Sequence, residues 1–395
     1  MSDHTIGQRI RTERLRHGKS LAVIAGQAGI SVGHLSKMER GLERCDRRST
    51  LTRIANALGV ELGVLTGSPV HLTDPEQLAA QVRIPALRVA LLGTDLDTLD
   101  PAVPIRPLSE LRAMTTQVAD LRHVCDYVAV GTRLPGLLID LHAAVHGPDR
   151  DGVLRLLTQA CQSAALHTKD TGHADLSWIA AERGLAAAQR LGDPLVIADA
   201  HFARAHALFA AGAFARGGRV AQAAADATPT DSGDGLQVYG MHCLSVAFGA
   251  IGDRRLDDAT EPIAEATRVA VRTGQGNAFW HSFGPVNVEM WRVSLAVEAG
   301  EGGRAVDIAS RFDAKAMPTT SRRAAHLIDV GRAHAQIRGH EHESLAALRS
   351  AEDLAPQRTR ANPYVRDTVA VLLRRTRAAA GGVELQRMAT RLGVS

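Results

Sequence analysis

At 395 residues the chain is long enough for two or three domains, and 45% hydrophobic with only 3% aromatic side chains suits close-packed, alanine-rich helices better than a sheet. Residues 1–67 hold 11 Lys+Arg against 6 Asp+Glu while the remainder holds 35 against 36, so the net charge of +4 is concentrated where nucleic-acid phosphate would attract it. No run of about 18 apolar residues and no apolar signal core is present, which excludes a membrane-spanning helix and predicts a cytoplasmic, nucleoid-associated protein.

In chain order, a first helix is expected from about Thr5 to His17, carrying Ile6, Ile10 and Leu15. Leu21, Ile24, Ala25 and Ala28 recur at helical spacing, and Gly29 follows where a tight turn can use the left-handed conformation. Ser31 is placed to cap a further helix, with Leu35 and Met38 inward and Gly41 to end it. Helix, short turn and helix is the helix-turn-helix plan, whose second helix enters the major groove of DNA. A loop with Arg44, Arg47 and Arg48 comes next, then a helix capped by Ser49 or Thr50 with Leu51, Ile54 and Leu58 inward. Val60, Leu62 and Leu65 close a five-helix globule over 1–67.

The pattern Ile24-Ala25, Ala28-Gly29-Ile30-Ser31, Leu35-Ser36, Met38-Glu39, Gly41 resembles the Cro/CI (XRE) family of repressors. The resemblance implies a buried structural pair between Arg14 and Glu39. It also marks two departures: Leu21 stands where relatives often carry a phosphate-gripping glutamine, and the loop after Gly41 lacks a common proline. The first turn of a recognition helix faces base edges, so Val32, Gly33, Ser36 and Lys37 are the base-reading candidates, with Ser31 and His34 beside them. Arg40, Arg44, Arg47 and Arg48 are expected to contact the phosphate backbone.

Residues 68–106 change character, with Pro69, Pro75, Pro85, Pro101 and Pro104 falling within them and Pro107 just after. They read as a partly helical linker, with short helices near Pro75–Val82 and Pro85–Leu92. From 107 to 395, Gly131, Gly172, Gly212, Gly252, Gly300, Gly339 and Gly381 recur at about 40-residue intervals, each expected as the turn inside a helical pair. The alanines at Ala203, Ala205, Ala207, Ala210 and Ala221 permit close helix approach. This region resembles a tetratricopeptide-repeat α-solenoid, and the predicted fold class is all-α throughout.

No catalytic constellation survives inspection. His340-Glu341-His342-Glu343-Ser344 lacks the second histidine of a zinc-protease motif, Gly274-Gln275-Gly276 lacks its third glycine, and Cys45, Cys125, Cys161 and Cys243 form no CxxC pair. An enzyme, a metal site and a cofactor are not expected. The one long glycine interval carries an aromatic insert between Gly274 and Trp291. Pro285 should start a helix that sets Asn287 and Trp291 one turn apart, with Trp280 and Phe283 just before it. Aromatic planes with an amide suit an effector-binding wall, and equally a plug between repeats.

The combined architecture resembles the PlcR/Rgg group of ligand-responsive regulators. That resemblance implies a homodimeric transcription regulator that binds double-stranded DNA at a palindromic operator and whose 107–395 region senses a small molecule or peptide. The competing reading is an interaction scaffold, with the solenoid binding a partner protein and the helix-turn-helix serving as a DNA tether.

Overall fold

A computed structural model describes residues 5–67, 75–376 and 382–394. The expectations for 68–74, including Pro69, and for Gly381 lie outside the described residues.

The first five helices form one globule. A capping box opens α1 (Ile6–Arg16): the Thr5 hydroxyl accepts from Gln8 N, and Thr5 N donates to the Gln8 side chain. Ser20 caps α2 (Leu21–Ala28), which ends at Gly29 with φ 61°, and Ser31 caps α3 (Val32–Glu39). The helices α4 (Arg48–Leu58) and α5 (Leu62–Thr66) complete the unit. Ile10, Ile24, Leu35, Leu51, Ile54, Leu58 and Leu65 make its core. Close approach of α1 to α3 requires Gly7, where a Cβ would fall 1.9 Å from the Met38 carbonyl oxygen. Ser49 and Thr50 do not cap α4: Arg47 occupies the cap position without a side-chain hydrogen bond, and both hydroxyl residues are buried in the first turn.

The rest of the described chain is also helical. Its elements are α6 (Pro75–Gln81), α7 (Ile84–Gly93), α8 (Leu108–His123), α9 (Tyr127–Ala144), α10 (Arg150–Asp170), α11 (Ala174–Leu191), α12 (Pro194–Ala210) and α13 (Phe214–Ala227). They continue as α14 (Gly233–Gly252), α15 (Thr260–Thr273), α16 (Pro285–Ala299), α17 (Gly302–Ala309), α18 (Thr320–Ala335) and α19 (Glu341–Leu354). Three further helices follow, α20 (Pro356–Ala361), α21 (Pro363–Thr376) and α22 (Val383–Arg391).

Consecutive helices from α8 to α19 pack as antiparallel neighbours in a repeat-like array. Gly172, Gly212, Gly300 and Gly339 turn the chain inside these pairs, and Gly252 ends α14. Gly131 does not: it lies inside α9, where the missing Cβ admits the Arg83 side chain. Small residues let the pairs approach, as where a Cβ at Gly249 on α14 would sit 2.7 Å from the Gly218 Cα on α13. The helices expected in the 68–106 linker do form, but Ile84, Leu87 and Leu91 are buried with Val130, Leu134 and Leu138 of α9. That apolar face makes α7 part of the repeat core.

The array closes on itself. Each of α8, α10, α12, α14, α16 and α18 packs on the next as an inner layer, and α18 returns to touch α8. The seam is bonded: Tyr127 N donates to Gln357 Oε1 at 2.8 Å, and Arg358 Nη1 donates to Asp170 Oδ2 at 2.7 Å. Ala80, Tyr127, Ala324 and Ala355 bury its apolar side. Among the described residues no helix is long and apolar enough to cross a membrane.

Candidate nucleic-acid interface and the core of the helical ring

The outer face of α3 is presented to solvent by bonds on its inner face. The Ser31 hydroxyl accepts from His34 N at 3.1 Å, satisfying one of the free amides at the helix start. Leu35 and Met38 anchor the opposite side in the core. At the far end Arg14 grips Glu39 bidentately, Nε to Oε1 at 2.6 Å and Nη2 to Oε2 at 2.8 Å. The hydrogen bond to Glu39 holds the Arg14 guanidinium above its usual pKa, against the cost of burial. Val32, Gly33, Lys37 and Arg40 are exposed as a result, and His34 and Ser36 are half-buried beside them. Lys37 can donate to a guanine edge, Ser36 can donate or accept, and Val32 can pack on a thymine methyl.

Two of the expected phosphate contacts have other partners, and a third packs beside the ring. Arg48 faces α16: its backbone N donates to Glu298 Oε2 at 3.0 Å, its Nε lies 3.6 Å from Glu298 Oε1, and its guanidinium covers the rings of Phe248 and Tyr364. Arg44 is largely buried and pairs with Asp46 at 3.3 Å. Arg47 lies against Gly300 at the end of α16. The loop after α3 is therefore a docking segment, which corrects the backbone-positioning role expected for Arg44 and Arg48; Arg47 stays half-exposed. Their partners on the ring side carry no local signal in the sequence. Arg332, fully buried, donates to Glu298 at 2.9 Å, to Asp329 and to the Asp46 carbonyl. Burial opposes its charge, but Glu298, Asp329 and Asp46 outweigh that and raise its pKa. Asp367 accepts from Cys45 N at 2.8 Å, Arg374 Nε donates to Gly41 O at 2.7 Å, and Tyr364 enters the core of the first globule.

The aromatic insert turns inward. Phe279, Trp280 and Ser282 adopt φ of 49°, 59° and 52°, a strained path that costs on the order of 1–3 kcal/mol per residue. Asn277 Oδ1 accepts from Ser282 N at 3.0 Å, and His281 Nε2 bonds Asp199 Oδ1 on α12 at 2.6 Å. Of the four residues expected to form an effector wall, Phe283 is fully buried against Gly240, and Asn287 is fully buried with Nδ2 donating to His281 O at 3.2 Å. These two lock the loop to α16 and are not exposed to a ligand. Trp291 is 8% exposed and Trp280 half-buried. Trp291 lies in a run of rings, 5.9 Å from His206 and 6.0 Å from Phe248, with the Arg322 guanidinium 5.9 Å from its centroid. Phe248 in turn lies under Arg48, so a continuous set of contacts joins the ring interior to the first residue of α4.

A capped, outward-facing second helix set across a left-handed glycine turn from the first defines a helix-turn-helix of the DNA-binding class. Residues 5–66 match the family model described as a helix-turn-helix domain. The N-terminal globule is that domain, and it supplies the DNA-binding element of a regulator. No curated protein matches the chain.

Proposed function

We propose that this chain is a sequence-specific transcription regulator of the Cro/CI kind, in which the helical ring senses a small molecule or peptide, mediates homodimerisation and adjusts operator affinity. It does so without catalysis. The carrying observation is the double role of the segment around α3: its outer face is free for base edges while the loop that follows it is bonded to α16. The outer face supports DNA reading by Val32, Gly33, Ser36 and Lys37, with Arg40 on phosphate. The docked loop supports coupling, because an effector that binds two ring conformations with different affinity shifts the bonded helix-turn-helix by the same free energy. A homodimer would place two copies of α3 about one helical turn of DNA, or a multiple, apart.

The test is selection of bound duplexes from a randomised pool by the full chain, followed by sedimentation of the protein alone and on the selected DNA. An enriched palindrome bound by two chains is the expected result. Binding without enrichment of any sequence would reduce the domain to a tether, and a stoichiometric protein captured by the ring would then favour the scaffold.

A further inference from the structure

The seam of the ring holds a concentration of positive charge that the docking contacts do not use. Arg122 at the end of α8, Lys169 at the end of α10, Arg322 at the start of α18 and Arg358 on α20 lie within electrostatic reach of one another. Asp170 is the carboxylate they share among the described residues, and three donors already bond to it: Lys169, the Arg358 Nη1 and the Tyr127 hydroxyl. Arg122 Nη2 meets only the His123 ring at 2.9 Å, and its buried Nε finds no acceptor. Arg322 has the face of Trp291 as its neighbour, and the buried Trp291 Nε1 likewise finds no acceptor. Burial first, then repulsion from Arg122 and Arg358, lowers the Arg322 pKa to about 10. His123, also desolvated and beside Arg122 and Arg322, is lowered to about 3 and stays neutral.

Four half-buried cations around one carboxylate leave an excess of positive charge at the seam, which an added anion would offset. Guanidiniums converging from different helices match the oxygens of a phosphate group, which accepts several paired N–H donors at once. Trp291 adds an apolar face beside them, with one unused donor.

We propose that the seam between α8 and α18 binds a small phosphorylated molecule, its phosphate held by Arg122, Arg322 and Arg358 and its remaining body against Trp291. The assignment names the effector class of the regulator described above and rests on that reading. It also gives the signal a route. Trp291 and Glu298 share α16, Phe248 bridges Trp291 to Arg48, and Glu298 binds Arg48 and Arg332. An anion that draws Arg322 off the Trp291 ring acts on the helix that holds the DNA-binding domain.

The probe is pyrophosphate, titrated calorimetrically into the full-length protein at fixed ionic strength, with citrate as the carboxylate arm and sodium chloride as the control. Saturable binding of one pyrophosphate per chain, at least tenfold tighter than citrate, is expected. Arg322→Gln should weaken it at least tenfold and keep the melting transition, whereas Lys37→Ala, on the DNA face, should leave it unchanged. If Arg322→Gln fails to fold, Arg122→Gln serves in its place. Absence of saturable binding, equal affinity for citrate, or wild-type affinity in the arginine variant overturns the site. Failure of the regulatory reading looks different: pyrophosphate binds through Arg322, but affinity for the selected duplex does not change.

Discussion

Arg14 and Asn287 carry opposite lessons at the scale of single residues. Both are buried, and each makes bonds that its surroundings cannot replace. Arg14→Ala leaves the Glu39 carboxylate buried without its guanidinium, an error worth about 3–5 kcal/mol. A lower melting temperature is the expected outcome, before any change in base preference. Normal stability with loss of DNA binding would instead place Arg14 on phosphate. Asn287→Ala removes the donor to the His281 carbonyl and exposes the strained 277–283 path to rearrangement. We expect a stability loss of about 1–3 kcal/mol, read by thermal melting. An unchanged melting temperature would show that the loop is held by other contacts. The Arg14–Glu39 pair was legible only through the family resemblance, which pairs an arginine of the first helix with a glutamate late in the recognition helix. For Asn287 the sequence leaves an effector wall and a plug between repeats open, because a helix start with an amide and a tryptophan one turn apart says nothing about which side the next layer covers; burial decides for the plug.

At the scale of elements, the loop of residues 41–48 and the helix α16 are the pair that matters. Glu298 accepts from both Arg48 and Arg332, so Glu298→Gln removes the charge from a buried three-residue network and should weaken docking by about 1–3 kcal/mol. Hydrogen exchange should rise in 41–48 while α1 to α3 stay protected. Affinity for the selected duplex should move about fivefold or more, the size of an ordinary coupling energy. Unchanged affinity in an undocked variant would refute coupling through this contact. The docking was hidden from the sequence for a plain reason. Arg44, Arg47 and Arg48 form a basic loop beside a recognition helix, as phosphate-binding arginines do, and the Glu298 that binds Arg48 lies 250 residues further on. By contrast the Ser31 cap, the Gly29 turn and the inward Leu35 and Met38 are local features, and each appears where the pattern placed it.

At the scale of the whole molecule, the repeats close into a ring whose interior holds neutral histidines. The five-helix globule and the paired repeats were legible as periodicity, whereas closure was not. It depends on small rotations summed over many pairs, which no single segment encodes. Closure has a measurable cost in acid. Burial lowers the pKa of His167 to about 4 and of His242 to about 3, whereas in the unfolded chain each titrates near 6.5. Their folded-state values are depressed, so the folded form binds fewer protons than the unfolded form between those limits, and stability is lost as pH falls below about 6.5. Asp367 works the other way: burial and its neighbour Asp46 raise its pKa to about 6, despite the bond from Cys45, so its protonation favours folding. Two histidines against one aspartate leave a net loss, about 1 kcal/mol per histidine at pH 5.5. The melting temperature should fall between pH 7.5 and pH 5.5, and less so in His242→Gln. A melting temperature that rises over that interval would mean that the histidines are charged in the ring.

The most direct test of DNA reading by α3 is a paired selection from one randomised duplex pool, using the wild-type chain and Lys37→Ala. Lys37 is exposed on the outer face of α3, and its loss removes one base contact without touching the core. The account predicts an enriched palindrome for the wild type. For the variant it predicts the same palindrome with relaxed preference at one position in each half-site and affinity lower by about 1–3 kcal/mol. Identical motifs and affinities for the two proteins would contradict it.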